Sequence, residues 1–290
     1  MTDSLIARRL VSADRDRRKK QTAMAMRTCD QIIAAAPNTV QAYLIKARCC
    51  LDVNARQPAL SLIQQALKID PKSADAHLEY GRFHRYECDS KKAMVEFEQA
   101  VALDPKQSQA FHAIATLAEQ DGQYDKALKA YTAMVKLEPD STAVYILRGD
   151  FLRHLGKNKE AISDYSAALS RDSKNFDVRS KRASLYYKQG LFVQALSDYS
   201  TVVGENPYDA EALTCLAEVR LHLKQVREAL ADVTKAIDLD DNEGHGYFVR
   251  SKVRLALGDK AGAAADLSKA AGRGYHSEGD ESKVKIIPQP

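Results

Sequence analysis

Arginine and aspartate recur as pairs at one fixed spacing in the second half of the chain. The pairs are Arg148 with Asp164, Arg182 with Asp198, and Arg250 with Asp266. A guanidinium group can donate two parallel hydrogen bonds to one carboxylate, so these residue types are suited to strong ionic pairing. Buried paired charges usually belong to the framework of a fold. We therefore predict that each pair links two structural elements and takes no part in catalysis.

The other residues with reactive or metal-binding side chains do not form a catalytic or metal-binding pattern. The seven histidines occupy unrelated places, and the chain has no His-Glu-x-x-His motif, no Gly-x-Ser-x-Gly motif and no phosphate-binding loop. The cysteines include no Cys-x-x-Cys pair, and the adjacent Cys49 and Cys50 are expected to be small apolar fillers. We predict no enzymatic activity, no cofactor and no metal site. The five cysteines are Cys29, Cys49, Cys50, Cys88 and Cys215.

The composition is that of a globular chain. Of the 290 residues, 45% are hydrophobic and 28% are charged, which suffices for a substantial core. No apolar run approaches the roughly 18–20 residues that a membrane-spanning helix needs, and the N-terminus lacks the apolar stretch of a secretory signal. An odd number of scattered cysteines favours a reducing compartment. We expect a soluble, cytoplasmic protein without a membrane span.

A period of 34 residues organises the chain that carries these side chains. Numbering the unit so that a recurrent proline is position 32, the units begin at residues 6, 40, 74, 108, 142, 176, 210 and 244. The prolines are Pro37, Pro71, Pro105, Pro139 and Pro207. Position 20 is alanine in every unit, at Ala25, Ala59, Ala93, Ala127, Ala161, Ala195, Ala229 and Ala263. Position 8 is alanine, glycine or serine throughout.

Each unit is predicted to be a pair of antiparallel helices. Glycine at position 15 of four units supplies the left-handed backbone that ends one helix, and proline at position 32 stops the next. Positions 8 and 20 lie about equally far from the turn, so a hairpin brings two small residues face to face. Position 24, aromatic in the middle units, fills the space beside them. The Arg–Asp pairs occupy positions 7 and 23, which are also mirrored about the turn. We therefore predict that each pair bridges the two helices of its own hairpin, although a bridge to the neighbouring unit would use the same residues.

These positions together resemble the tetratricopeptide repeat family. The resemblance implies an all-α, right-handed superhelical solenoid of eight 34-residue helix-turn-helix repeats, whose first helices line a groove for a partner's peptide or helix. The expected organisation is a basic, divergent N-terminal repeat or cap at 1–39, a solenoid at 40–277 and a flexible tail at 278–290. The regular repeats are 40–73, 74–107, 108–141, 142–175, 176–209, 210–243 and 244–277.

The resemblance also assigns positions 2, 5, 9, 12 and 13 to the groove, which is then basic in the early repeats and mixed to acidic later. We expect an acidic or C-terminal carboxylate group to dock near Arg48, Arg82 and Arg85, the alternative being solvated charge. The family's chaperone-tail pattern is absent, because position 5 is never lysine and position 9 is never asparagine. The predicted partner-binding residues are Arg48, Arg82, Arg85, Tyr86, His112, Asp150, Arg153, Tyr187, Lys188 and Glu218.

The two ends of the chain depart from the pattern. Residues 1–39 hold eight Lys/Arg and four Asp/Glu, a surplus equal to the formal charge of +4 of the whole chain. This region is either a solvated face or a contact for an acidic partner, RNA or an acidic surface, although no aromatic residues interleave for base stacking. An RNA- or acidic-surface-associated protein is therefore the alternative to a protein-binding scaffold. The last helix presents small residues, for which weak self-association and plain exposure are the alternatives: Ala263, Ala264, Ala265, Ala270 and Ala271.

Overall fold

The computed structural model describes residues 2–275, and within them the chain is entirely helical apart from turns. The helices are α1 (Asp3–Arg18), α2 (Thr22–Ala35), α3 (Val40–Asp52), α4 (Arg56–Ile69), α5 (Ala74–Tyr86), α6 (Ser90–Leu103), α7 (Ser108–Gln120), α8 (Tyr124–Leu137), α9 (Thr142–His154), α10 (Asn158–Arg171), α11 (Phe176–Lys188), α12 (Phe192–Glu205), α13 (Ala210–His222), α14 (Val226–Leu239), α15 (Gly244–Ala256) and α16 (Lys260–Gly272). Sixteen helices in eight hairpins confirm the predicted all-α repeat architecture. The predicted tail at 278–290 lies outside the described residues.

The hairpins are nearly identical in length because the same positions begin and end their helices. In the third repeat the first helix has 13 residues and the second has 14, and the same lengths recur in the seventh. Several first helices start at a side-chain cap, as where Ser73 accepts from the backbone N–H of Ala76 and Asp209 accepts from that of Ala212. The period found in the sequence is thus a period of helix boundaries.

The turn inside each hairpin is left-handed at position 15 in all eight repeats. The four predicted glycine turns are confirmed, with φ between 70° and 84°. The other four repeats adopt the same conformation without glycine, at φ of 59° to 64°, although a Cβ makes it costly for most residues. The hairpin packing therefore imposes the turn even where the local sequence does not favour it. These residues are Lys20, Asn54, Cys88 and Lys224.

Glycine at one of these turns should stabilise the protein. Lys224 is exposed and has φ of 64°, so Lys224→Gly removes backbone strain without removing a buried contact. We expect the free energy of unfolding to rise by about 1 kcal/mol, measured as a higher urea midpoint with an unchanged m-value. The reverse change at Gly190, Gly190→Lys, is the matched control and should lower the midpoint. Equal midpoints for the two variants would contradict this account of the turn.

Proline is not required at position 32. Position 32 is Ser173 in the fifth repeat and Asp241 in the seventh. The helices before them, α10 and α14, nevertheless end at Arg171 and Leu239, the same repeat position at which helices end before a proline. The next residue leaves the helical conformation in both cases, with ψ of 87° at Asp172 and 100° at Asp240. Proline reinforces a helix end that packing already sets.

The core of each hairpin is built where the small residues meet. A Cβ placed on Gly81 would lie 3.1 Å from the carbonyl oxygen of Ala93, which confirms that positions 8 and 20 face each other in this repeat. The position-24 rings of Phe97 and Tyr165 are fully buried beside such contacts. Close approach of the two backbones therefore depends on a small residue at position 8.

The hairpins form two compact units, an N-terminal unit (residues 1–139) and a C-terminal unit (residues 140–290). In the N-terminal unit, first helices of neighbouring repeats contact one another, α1 with α3 and α3 with α5. In the C-terminal unit, α11 contacts α13 and α13 contacts α15 in the same way. Each unit thus presents a continuous face of first helices. None of the helices in the described part of the chain has the length and apolar character needed to cross a bilayer.

Candidate binding surface on the first helices

The three Arg–Asp pairs are bidentate and lie within their own hairpins, as predicted. The Nε and Nη2 atoms of Arg148 each donate to Asp164 at 2.7 Å, and those of Arg182 each donate to Asp198 at 2.8 Å. Arg250 binds Asp266 in the same way, at 2.8 Å for both bonds. The aspartates are buried. These groups hold helices together and are not available to a partner.

Two of these pairs recruit further groups. Arg179 adds a third donor to Asp198, at 3.2 Å, and Arg254 donates to Asp266 with a separation of 2.9 Å. Arg182 also donates from Nη1 to the hydroxyl of Ser166 in the preceding repeat, at 2.9 Å. The pair in the sixth repeat therefore links two hairpins through a neutral hydroxyl, in addition to its own two helices.

In the N-terminal unit, two of the predicted carboxylate-binding arginines already share a carboxylate. Glu79 is only 2% exposed, and it lies 2.8 Å from Nη2 of Arg48 and within hydrogen-bond distance of Arg82. Arg82 also donates to Gln109 at 2.8 Å, which ties α5 to α7. Glu79 occupies position 6 of its repeat, which is mostly apolar in the other repeats. A carboxylate at this position is therefore the sequence signal for the shared ion pair. The two arginines consequently present less free positive charge than their number implies.

Arg85 is the predicted arginine that remains available. It is exposed and forms no ion pair with any of residues 2–275. Desolvation, together with the positive charges of Arg85 and Arg82, lowers the pKa of His112 below its ordinary value of 6.5. The fifth predicted residue of this unit, Tyr86, donates from its hydroxyl to Asn54 at 2.8 Å. The structure thus brings Arg82, Arg85 and His112 together, with uncompensated positive charge at Arg85.

In the C-terminal unit, three of the predicted residues are held by internal contacts. Asp150 accepts from the hydroxyl of Tyr165 at 2.7 Å and from Lys181 at 3.2 Å. Tyr187 forms a 3.0 Å hydrogen bond with His222, whose ring stacks on Phe192. The third, the Glu218 carboxylate, accepts from Lys252 at 3.1 Å. Because these three side chains already have partners within the protein, neighbouring residues are the ones available to contact a binding partner.

The remaining two predicted residues, Arg153 and Lys188, line a cleft of about 580 Å³ formed by α9, α11 and α13 together with α12. This cleft, called here the C-terminal cleft, has an apolar floor that includes Leu185 and Val202. Its rim carries both signs of charge. The acidic members of the rim are Asp177, Asp209 and Glu211, and the basic members are Arg153, Lys181 and Lys188.

The charged rim is only partly neutralised within the protein. Lys181 lies 3.0 Å from Asp177 and also binds Asp150. Lys188 and Glu211 are exposed and have no ion-pair partner among the residues that the structure describes. The cleft can therefore offer a cation, an anion and an apolar floor to one bound segment.

Desolvation disfavours the thiolate form of Cys215, which lines the C-terminal cleft. It raises the pKa of Cys215 to about 12, and it raises the pKa of Cys29 to about 12 and that of Cys49 to about 11. Cys50 is buried as well, whereas Cys88 is exposed. Because the thiolate is the reacting species, we expect one thiol per folded chain to react rapidly with a disulfide reagent at pH 8 and five after denaturation. The expected signal disappears in Cys88→Ser, and rapid labelling of a second thiol would contradict this.

The environment of Glu218 predicts a specific loss of stability in acid. Burial alone would raise its pKa, but hydrogen bonds and positive charge from His245 and Lys252 outweigh it and lower the pKa to about 2. Because this lies below the value of an unfolded glutamate, the stabilisation is complete above roughly pH 4.5 and is lost as the pH falls towards 2. We expect Glu218→Gln to flatten the fall in urea midpoint over this range. The exposed change Glu228→Gln should retain the wild-type slope.

Within residues 2–275 no cluster of His, Cys, Asp or Glu side chains is arranged to hold a metal ion. The last helix divides its alanines between two environments. Ala263 and Ala270 are buried in their own hairpin, whereas Ala264, Ala265 and Ala271 are exposed. The predicted self-association surface is therefore smaller than the count of alanines suggests.

Comparison with known proteins gives a family match in the regular part of the chain. The family model described as a tetratricopeptide repeat matches residues 112–176 and 180–244. No curated protein sequence matches the chain. The matched segments include every lining residue of the C-terminal cleft except Asp177, and they include the predicted residues His112, Asp150, Arg153, Tyr187, Lys188 and Glu218.

Several solved structures share the fold at low sequence identity. A tetratricopeptide repeat protein from Parabacteroides merdae has a TM-score of 0.53 and 21% identity, over 82% of this chain and 94% of that protein. YrrB, described as having an unusual peptide-binding site, has a TM-score of 0.57 and 16% identity, over 63% and 95% of the two chains. MamA from Desulfovibrio magneticus has a TM-score of 0.54 and 19% identity, over 61% and 97%. These similarities establish the fold.

Proposed function

We propose that this chain, which belongs to the tetratricopeptide repeat family, is a protein-interaction scaffold. Its first helices bind a peptide or helical segment of a partner. The observation that carries the proposal is the C-terminal cleft of about 580 Å³ on the first helices α9, α11 and α13. A concave surface with an apolar floor and a few polar groups is the usual form of a ligand site.

The chemistry of the C-terminal cleft supports a peptide as the ligand. Its floor can take an apolar side chain, and the unpaired charges of Lys188 and Glu211 can each meet an opposite charge on the same segment. Electrostatic complementarity of this kind favours one register of the bound segment over others. The peptide-binding site named for YrrB gives further support, because the two chains share the fold.

In the N-terminal unit, we propose that Arg85 receives an acidic group of the partner. It is the one predicted arginine there that no carboxylate of residues 2–275 already binds, and His112 lies in the same positive field. Arg48 and Arg82 contribute through Glu79, which they hold in place. Arg85→Glu is expected to weaken binding of an acidic segment and to leave the fold intact, because the side chain is exposed.

The test of the scaffold function is affinity capture with matched charge variants. In Arg153→Glu/Lys188→Glu, both changes lie in the C-terminal cleft, whereas Lys157→Glu/Lys159→Glu makes the same change of net charge at exposed residues outside it. We expect the first variant to lose specific partners at least about fivefold in quantitative mass spectrometry and the second to retain them. Equal capture by wild type and both variants would show that this cleft binds no partner. Circular dichroism of each variant controls for folding.

A further inference from the structure

A second cleft, called here the N-terminal cleft, lies between α1 and α3 in the N-terminal unit. It has a volume of about 450 Å³. Three apolar residues line it, Leu10, Val11 and Ile45, and three arginines surround them, Arg15, Arg18 and Arg48. The basic first helix and one of the groove arginines, which the sequence suggested as separate features, therefore belong to one surface.

The apolar part of the N-terminal cleft is accessible. Val11 is 70% exposed, and Leu10 is only partly covered, above the buried Ile45. Helix α1 is otherwise polar, with arginine and aspartate making up half of its residues. A branched apolar side chain that faces a concave, basic surface is suited to contact an apolar group from outside.

The most exposed charged groups of the N-terminal cleft are basic. Asp14 is its acidic residue, and it lies 2.6 Å from Arg18 and 3.8 Å from Arg48. The Arg15 side chain is 64% exposed, with its nearest carboxylate at 3.9 Å, in Asp16. Arg48 is already bound to Glu79, so the accessible positive charge around the apolar centre comes from Arg15 and Arg18, whose side chains are 64% and 75% exposed.

We infer that the N-terminal cleft binds an acidic segment of a partner protein, with one apolar side chain inserted over Val11 and carboxylates against Arg15 and Arg18. This inference rests on the proposed scaffold function and names the partner chemistry. Guanidinium groups match carboxylates in geometry, and the apolar centre gives a protein side chain a contact that a nucleic-acid backbone cannot use. No aromatic side chain lines the cleft to stack on a base.

The probe is a fluorescein-labelled peptide in which one leucine is flanked on each side by three glutamates, with binding to the full chain followed by fluorescence anisotropy. We expect a dissociation constant in the micromolar range that rises with salt. Serine in place of the leucine should weaken binding about tenfold, because the apolar contact is lost. Lysine in place of the glutamates should abolish binding.

Matched variants locate the site. Val11→Ser/Arg15→Glu alters the N-terminal cleft, and Met24→Ser/Arg27→Glu makes the same two kinds of change at exposed positions of α2. We expect the first variant to weaken the leucine peptide at least about tenfold and the second to change it less than twofold. Both variants replace exposed side chains, and their circular dichroism spectra should equal that of the wild type.

Several outcomes would overturn the inference. One is equal binding of the leucine peptide to the cleft variant and the wild type, and another is equal binding of the serine and leucine peptides. A uridine oligonucleotide that displaces the peptide, and whose own binding falls in the cleft variant, would assign the surface to nucleic acid. If partner capture still depends on Arg153 and Lys188 in any of these cases, the scaffold function stands and only this assignment fails.

Discussion

Replacing Asp198 by alanine is expected to lower the free energy of unfolding by about 3–5 kcal/mol, because it leaves buried positive charge without its partner. Asp198 is 3% exposed and accepts two hydrogen bonds from Arg182 and one from Arg179. The side chains of these arginines are 17% and 16% exposed, so neither can regain full hydration without moving. The loss should exceed that from any surface ion pair of the chain.

Urea denaturation followed by circular dichroism measures this change. Repeats can unfold in part, so amide hydrogen exchange on α11 and α12 should show the loss locally. The control is Asp177→Ala, whose carboxylate binds Lys181 at 3.0 Å but whose side chain is 73% exposed. We expect it to cost less than about 1 kcal/mol. Similar small losses in both variants would show that the buried pair adds little to stability.

Replacing Phe97 by alanine is the second large expected effect, with a loss of about 3–5 kcal/mol from the cavity that a fully buried ring leaves. Phe97 is 0% exposed. Its ring occupies the space over Gly81, where an added Cβ would lie 2.5 Å from two ring carbons. The absence of a side chain at Gly81 therefore provides the space that the Phe97 ring fills.

A double-mutant cycle tests that coupling. Gly81→Ala alone should cost about 1–3 kcal/mol through overpacking, reduced by the better helix propensity of alanine. In a Phe97→Leu background the same substitution should be neutral or stabilising, because the smaller side chain makes room. Ala115→Gly, at the same position of the next repeat, is the control and should cost about 1 kcal/mol. Additive effects of the two changes would contradict direct contact between Gly81 and Phe97.

The sequence alone was sufficient for the hairpins and for the Arg–Asp pairs. The reason is that both depend on positions that repeat. The small residues of the hairpin recur in eight units and the Arg–Asp pair recurs in three, so each recurrence is a further observation of the same local structure. Arg148 and Asp164 can be paired from the sequence, because positions 7 and 23 are mirrored about the turn. Four of the left-handed turns were predicted for the same reason, from their glycines.

Only the tertiary structure decided which charges of the first-helix face are free. Arg48, Arg82 and Arg85 look alike in the sequence, yet the first two share buried Glu79 and the third has no ion pair within residues 2–275. The turn at Lys224 is left-handed without glycine, because packing of the hairpin outweighs the local preference.

What the sequence by itself determined is the repeat, the helix boundaries and the pairs within one hairpin, because these follow from residues close together in the period. What required the tertiary structure is the contact between different repeats. Arg48 lies 3.8 Å from Asp14 and lines the N-terminal cleft together with Arg18, because α1 packs on α3. The free charge and apolar area of a binding surface are what remains after such contacts form, and no single repeat contains that information.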